Sequence, residues 1–346
     1  MATQKVIVLT TGGTISHRSD KSGVAAMSFD PAEILSGLSV SNIEIECRAV
    51  MRKGSMDVVS GDWVVIADAI ADAMASTPRG IVVAHGTDTM QYTAAALSFM
   101  LRHLPVPVVM TGSIIPGGDA GSDALPNLRD AVAVAALAEF AEVCVVFAGK
   151  IIRGTRARKI HSHAADAFAS INAPLLGTVV NGKIAKGVVA VEPRSTSRLK
   201  LATQLDSNVM LIKLTPNLSA EALARYLSGA SGVVLEGTGV GHIRTDLQPM
   251  LARFGNPVVL STQAVYGGEK LGGYEVDRSI LALPNVIPAG DMLSETALVK
   301  LMWALGQGGE IRALMRTNIA GELRTVLRKR RLIRKTETHR HGGARR

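Results

Sequence analysis

Lys5-Val6-Ile7-Val8-Leu9-Thr10-Thr11-Gly12-Gly13-Thr14-Ile15-Ser16 passes from an aliphatic run into a glycine turn rich in hydroxyls. The run is β-branched and lacks helical periodicity, which reads as a short strand buried on both faces. The glycine pair lets the backbone turn sharply and leaves N–H groups facing a ligand. A second run, Gly80-Ile81-Val82-Val83-Ala84, is followed by His85-Gly86-Thr87-Asp88-Thr89-Met90. Residues 106–111 and 143–148 read as further strands, and 60–76, 89–104 and 123–141 suit helices. Strand–helix alternation of this kind predicts an α/β fold with a doubly wound, mostly parallel sheet. The alternation restarts late, with strands at 208–214, 232–235 and 257–261 and helices at 219–227, 246–253 and 293–305. The expected organisation is an N-terminal α/β domain over 1–187, a linker over 188–207 and a smaller α/β C-terminal domain over 208–323. A basic, disordered tail over 324–346 completes it.

Composition narrows the function classes. Hydrophobic residues are 47% of 346, enough for a sizeable core, and aromatics are 3%, too few for a base-stacking surface. Ten Lys or Arg and one Glu lie between Arg324 and Arg346, and the other 323 residues carry 28 charges of each sign. The neutral body argues against a nucleic-acid-binding fold; the tail is the one place where such a contact would lie. Cys47 and Cys144 form neither a disulfide framework nor a metal-ligand spacing. There is no run long and apolar enough to span a membrane and no leader-like N-terminus, so a cytoplasmic protein is expected. His161, His163, His339 and His341 lack acidic or cysteine partners at ligand spacing and read as solvated; no metal or other cofactor is expected.

Both hydroxyl-rich turns follow buried strands, the edge at which open α/β sheets bind ligands. The glycine spacing in the first fits neither a dinucleotide fingerprint nor a phosphate loop. Each turn has an alternative use: the first as a polar strand-to-helix connection, and Thr87, Asp88 and Thr89 as helix N-caps. A threonine hydroxyl attacks only when a base takes its proton. Asp88 is adjacent to Thr87, and neighbours on a strand point apart, so another base is required.

Together, Thr10–Ser16 and His85–Met90 resemble the L-asparaginase family, which includes asparaginases, glutaminase-asparaginases and the archaeal subunit that releases ammonia for tRNA amidation. The likeness continues through Gly112-Ser113, Asn127-Leu128, Lys159, Asn181-Gly182-Lys183-Ile184, Gly237 to Gly241, Tyr274-Glu275-Val276-Asp277 and Lys300-Leu301-Met302-Trp303, to Gly321-Glu322-Leu323. It implies that Thr14 is the acyl-forming nucleophile and that Thr87, Asp88 and Lys159 form a proton-transfer group. It implies substrate contacts from Ser55, Thr87, Asp88, Ser113 and Glu275, with Glu275 supplied by a second subunit of a homodimer or homotetramer. The implied reaction is hydrolysis of L-asparagine to L-aspartate and ammonia, with L-glutamine the next substrate to consider.

Three positions depart from the family pattern. The loop after the first motif, residues 17–27, holds no tyrosine, which leaves the activation of Thr14 to His17 or another group. Met56 stands where a polar residue is usual, and His242 replaces a common asparagine. These departures keep two rivals in view: a glutaminase or an ammonia-supplying amidase for tRNA amidation, and a non-catalytic amino-acid-binding relative. With so short a lead before the first strand, the extra N-terminal domain that the tRNA-linked proteins carry is not expected.

Overall fold

The computed structural model describes residues 4–36, 38 and 42–324. The tail expected from residue 324 onward, with His339 and His341, lies outside the described residues except for Arg324. The N-terminal sheet has eight strands: β1 (Gln4–Gly12), β2 (Ile43–Lys53), β3 (Gly80–Ala84), β4 (Val108–Thr111), β5 (Val143–Phe147), β6 (Lys150–Arg153), β7 (Gly177–Val180) and β8 (Lys183–Lys186). Their spatial order is β8-β7-β6-β5-β4-β3-β1-β2. The five strands β2-β1-β3-β4-β5 are parallel, and β6, β7 and β8 extend the sheet antiparallel. The doubly wound, mostly parallel sheet read from the sequence is therefore present.

The order 2-1-3-4-5 sends the chain to opposite sides of β1. A crevice opens between β1 and β3 at their carboxyl ends, where ligands bind in such sheets. Thr14 follows β1 and Thr87 follows β3, so the topology brings the two turns together.

Alternation along β1 explains how both faces are covered. Ile7 and Leu9 face one helical layer, formed by α1 (Ser60–Met74) and α2 (Met90–Met100). Val6 and Val8 face the other, formed by α3 (Ala124–Leu137). Successive side chains of a strand point to opposite faces, so an unbroken aliphatic run suits a strand with helices on both sides.

The helix expected over 89–104 ends at Met100 because Leu101 and Arg102 pair with Lys200 and Leu201. Residues 188–207 thus run along the N-terminal domain. Arg194 caps α3, donating from Nε to the Ala138 carbonyl and from Nη2 to that of Ala135. Burial pushes its guanidinium down to about 10.

The C-terminal sheet is β9 (Val209–Lys213), β10 (Gly232–Gly237), β11 (Val258–Thr262) and β12 (Val286–Pro288), all parallel and in sequence order. Helix α4 (Ala220–Leu227), α5 (Gln248–Phe254), α6 (Val276–Leu281) and α7 (Ser294–Gln307) accompany it. Phe99 of α2 stacks on Trp303 of α7 with ring centroids 5.9 Å apart, which joins the two sheets through one core. Among the described residues, no helix is long and apolar enough to cross a membrane.

Candidate active site

Three turns meet at the β1–β3 crevice, and glycine sets their spacing. Gly13 has φ +79°, and a Cβ there would lie 2.2 Å from the Cα of Gly86. A Cβ on Gly86 would lie 2.6 Å from Oγ of Ser55. Any larger residue at either position would force the turns apart, so the Thr14 and Thr87 turns touch through bare backbone and the Ser55 side chain packs on Gly86. Ser55 is buried in a short turn after β2; its Oγ accepts from the Asp88 N–H at 3.2 Å and its carbonyl accepts from Thr89 Oγ1 at 2.7 Å. Thr89 does stand at the N-cap of α2, but its side chain makes no cap bond and braces Ser55 instead.

Lys159 reaches the same turn from the strand Ala157–Lys159. Its Nζ donates to Thr87 Oγ1 at 2.8 Å and to Asp88 Oδ1 at 2.7 Å. The expectation that Thr87 and Asp88 point apart is overturned. The segment after Ala84 is a bend rather than strand, so both side chains reach one Nζ. Thr87 is 3% exposed, whereas the Asp88 side chain is 61% exposed, so the group opens outward on the acid's side.

His85 is fully buried beneath this turn. Its Nδ1 lies 2.7 Å from the Gly86 carbonyl and its Nε2 lies 3.2 Å from Thr93 Oγ1. The carbonyl can only accept, so Nδ1 carries the proton and Nε2 accepts from the hydroxyl. Burial lowers the imidazole pKa below its ordinary value of 6.5, with the Gly86 carbonyl acting the other way, and the neutral form is favoured.

The first turn is braced differently. Thr11 Oγ1 donates to the Ala84 carbonyl at 3.0 Å, tying β1 to the end of β3. Thr14 is half-buried, and its carbonyl accepts from Gly117 N–H at 3.2 Å. The loop after it is a small hairpin, Arg18–Ser19 against Ala25–Ala26, with Ser19 held by both oxygens of Asp119. His17, the stand-in considered for the absent tyrosine, lies with Nδ1 2.7 Å from the Gly13 carbonyl. Its Nδ1–H is therefore committed to the backbone.

Ser113 is buried at the end of β4; a Cβ on its neighbour Gly112 would meet the His85 carbonyl at 2.3 Å, so this loop backs onto the Thr87 turn. Asp123 and Asn127 order it: Asp123 accepts from the N–H groups of Ile114 and Ile115, and Asn127 Nδ2 donates to the Gly112 carbonyl at 3.0 Å. Their i,i+4 spacing at a helix start was the available signal for this role.

Glu275 stands apart. It is exposed at the start of α6 and makes no hydrogen bond or ion pair with the other candidate residues. Its loop is nonetheless ordered, since buried Asp277 accepts from the N–H groups of Gly272 and Tyr274 and lies 3.0 Å from His242 Nδ1. Burial favours protonating Asp277, but these bonds outweigh it and hold its carboxyl below the usual range. His242 thus has a structural partner. Met56 is 78% exposed, and among the described residues no three His, Cys, Asp or Glu side chains cluster as metal ligands.

The chain matches two family models: the N-terminal asparaginase domain over residues 5–188 and the glutaminase/asparaginase C-terminal domain over 208–317. It is 42% identical to an L-asparaginase of Thermococcus kodakarensis over 92% of this chain and 99% of that one. It is 39% identical to a glutamyl-tRNA(Gln) amidotransferase subunit of Pyrococcus abyssi, over 92% of this chain and 76% of the relative. Among solved structures, the thermostable L-asparaginase from Thermococcus kodakarensis superposes with a TM-score of 0.87 at 40% identity, covering 93% of this chain and 100% of that chain. L-asparaginase I from Vibrio cholerae gives 0.82 at 30% identity, covering 93% and 100%.

Proposed function

This chain belongs to the asparaginase family, and from that premise we propose that it hydrolyses the side-chain amide of L-asparagine to L-aspartate and ammonia. The observation that carries the reading is the Thr87–Lys159–Asp88 contact, with one Nζ within hydrogen-bond reach of a buried hydroxyl and an open carboxylate. An uncharged Lys159 can take a hydroxyl proton, and the resulting ammonium is stabilised by Asp88 and can return the proton to the leaving nitrogen.

In this reading the Thr14 proton passes through the Thr87 hydroxyl to Lys159, Thr14 Oγ1 bonds to the amide carbon, and the C–N bond breaks as Lys159 returns that proton to the leaving nitrogen, releasing ammonia. A water activated at Thr87 and Lys159 then cleaves the ester, regenerating the threonine and releasing aspartate. Backbone N–H groups of the two glycine turns face the developing oxyanion. Asp88 binds the substrate ammonium, Ser55 the α-carboxylate, and the Ser113 carbonyl the amide nitrogen. A second reading has Thr87 attack first, because its hydroxyl is the one with a base at 2.8 Å. Mass spectrometry of acyl-enzyme trapped at acid pH separates the two: an aspartyl adduct on the peptide holding Thr14 supports the first, and one on the Thr87 peptide the second.

Glu275, exposed and without a partner in the site, is proposed to complete the site of a neighbouring subunit, making the protein a homodimer or homotetramer. Mixing Lys159→Met with Glu275→Gln chains tests this. Random reassortment into dimers leaves about one site in four fully native, so two nearly inactive proteins should regain about a quarter of native activity. No regain would exclude a shared site. For the reaction itself, the purified protein should release ammonia from L-asparagine faster than from L-glutamine; glutamine turnover alone would favour the glutaminase, and silence with both would remove the enzyme reading.

A further inference from the structure

We infer that a groove at the opposite edge of the N-terminal sheet binds a small organic anion and communicates with the active site. The groove has a volume of about 1050 Å³, a size suited to a small metabolite. It lies where β5 begins, between the end of α2, the crossing segment 189–197 and the C-terminal segment 318–324.

Charge selects the ligand. Four arginines and two glutamates line the groove. Arg153 is matched by Glu142 through two bonds of 2.6 and 2.9 Å, and Arg156 by Asp291 at 3.0 Å. Half-buried Arg102 has no described carboxylate within ion-pairing distance, and its one described hydrogen bond runs 3.4 Å to the Ile319 carbonyl. Arg324 reaches Asp291 only at 3.9 Å, where Arg156 is already seated. Arg324 also donates to the Asn172 carbonyl at 3.2 Å. Against Arg102 and Arg324 stands Glu192, the second lining glutamate, so a net positive charge remains to attract an anionic head, and a planar carboxylate suits the forked donors. Leu101, Leu104, Val191 and Leu323 offer the head's carbon skeleton an apolar wall.

Two elements run from the groove to the site. Helix α2 has the Thr87–Thr89 turn at one end and Ser98 and Leu101 at the groove, about 16 Å away at 1.5 Å per residue. The segment from Arg153 and Arg156 reaches Lys159 three residues later. Arg156 is rigidly held, donating to the carbonyls of Gly321 and Asp291 at 2.9 Å each. An anion that draws on this cluster acts on the strand that carries Lys159.

Calorimetric titration of the full chain with hexanoate tests the site. Saturable binding is expected, weakened at least about tenfold in Arg102→Leu and also weakened in Arg324→Ala, a change at an exposed position that keeps the test valid if the first variant unfolds. Hexanol and inorganic phosphate should each bind more weakly, lacking the head or the skeleton. Lys159→Met should bind hexanoate as the native protein does, whatever its activity. Saturating hexanoate should alter kcat or KM for asparagine in the native enzyme and leave Arg102→Leu unmoved. Absent saturation, binding undiminished in both arginine variants, or binding lost in Lys159→Met would overturn the site. Occupancy with no kinetic change would overturn the coupling.

Discussion

Of the lysines in this molecule that pair with a carboxylate, Lys300 and Lys159 serve opposite ends. Lys300 and Glu322 are both 0% exposed and 2.5 Å apart. Every donor of Lys300 is used: the Met315 carbonyl at 3.0 Å, the Thr317 carbonyl at 2.6 Å and Glu322. Glu322 in turn accepts from the N–H groups of Ile319 and Ala320. Burial lowers the Lys300 pKa, with Glu322 acting the other way, and the hydrogen bonds described for its Nζ run to two backbone carbonyls and this carboxylate, with no hydroxyl among them. Lys159 shares its Nζ with a threonine hydroxyl, and its acid opens to solvent. A lysine–carboxylate pair locks structure when its remaining hydrogen bonds close on backbone, and becomes reactive when one closes on a group that can lose a proton.

The largest separation between the two should come from Lys159→Met. Asparagine turnover is expected to fall by about 10³-fold or more with thermal stability nearly unchanged, since the proton acceptor is removed; turnover within tenfold of native would dissolve the contrast. Thr87→Val should cost at least about 10²-fold in kcat with less effect on KM. Lys300→Met is the mirror image. Denaturant unfolding should report about 3–5 kcal/mol lost, because Glu322 is left as an unpaired buried charge, while the folded fraction keeps native turnover. Lys300→Met with Glu322→Leu should recover much of that stability; no recovery would mean that the carbonyl bonds, rather than the charge pair, hold the segment.

His85 gives the smallest and most pH-specific effect. Its pKa is lowered in the folded protein, so the unfolded chain binds the proton more readily. Its contribution is present above the ordinary value of 6.5 and fades as pH falls through that value toward the folded pKa. Native protein should lose stability on acidification below pH 6.5, and His85→Gln should flatten that part of the slope. An identical slope in both would assign the pH dependence elsewhere.

Much of this was legible in the sequence where side-chain chemistry repeats locally. The strands at 80–84 and 143–147 stand out because both faces are buried, which makes the aliphatic run continuous. Ile43–Lys53 escaped notice because it is the sheet's edge strand, half-exposed along its length and interrupted by Glu44, Glu46 and Arg48. Asn181-Gly182 is the turn between β7 and β8, with φ +48° and +76°, as an Asn-Gly pair favours, but the edge hairpin that it closes is too polar to announce itself. In the site, the family resemblance grouped Thr87, Asp88 and Lys159, whereas the residues alone pointed Thr87 and Asp88 apart, because their convergence on one Nζ depends on a bend and a crossover spanning 72 positions. The braces Asp277 and His85 act largely through backbone groups, which leave no mark in a one-letter string, and Asp123 leaves only its i,i+4 spacing to Asn127.

The order of β1, β3 and β4 in the sheet also sets when the enzyme can first exist. Emerging from a ribosome, the Thr14 turn precedes the Thr87 turn by some 70 residues and Lys159 by twice that. The site gains its floor only when β3 docks beside β1, and its Nζ only after the strand at Ala157–Lys159 has been made. Each of these is a pairing between distant parts of the chain, which forms late for entropic reasons. Ammonia release during refolding therefore cannot return before the sheet is complete, later than the helices that form first.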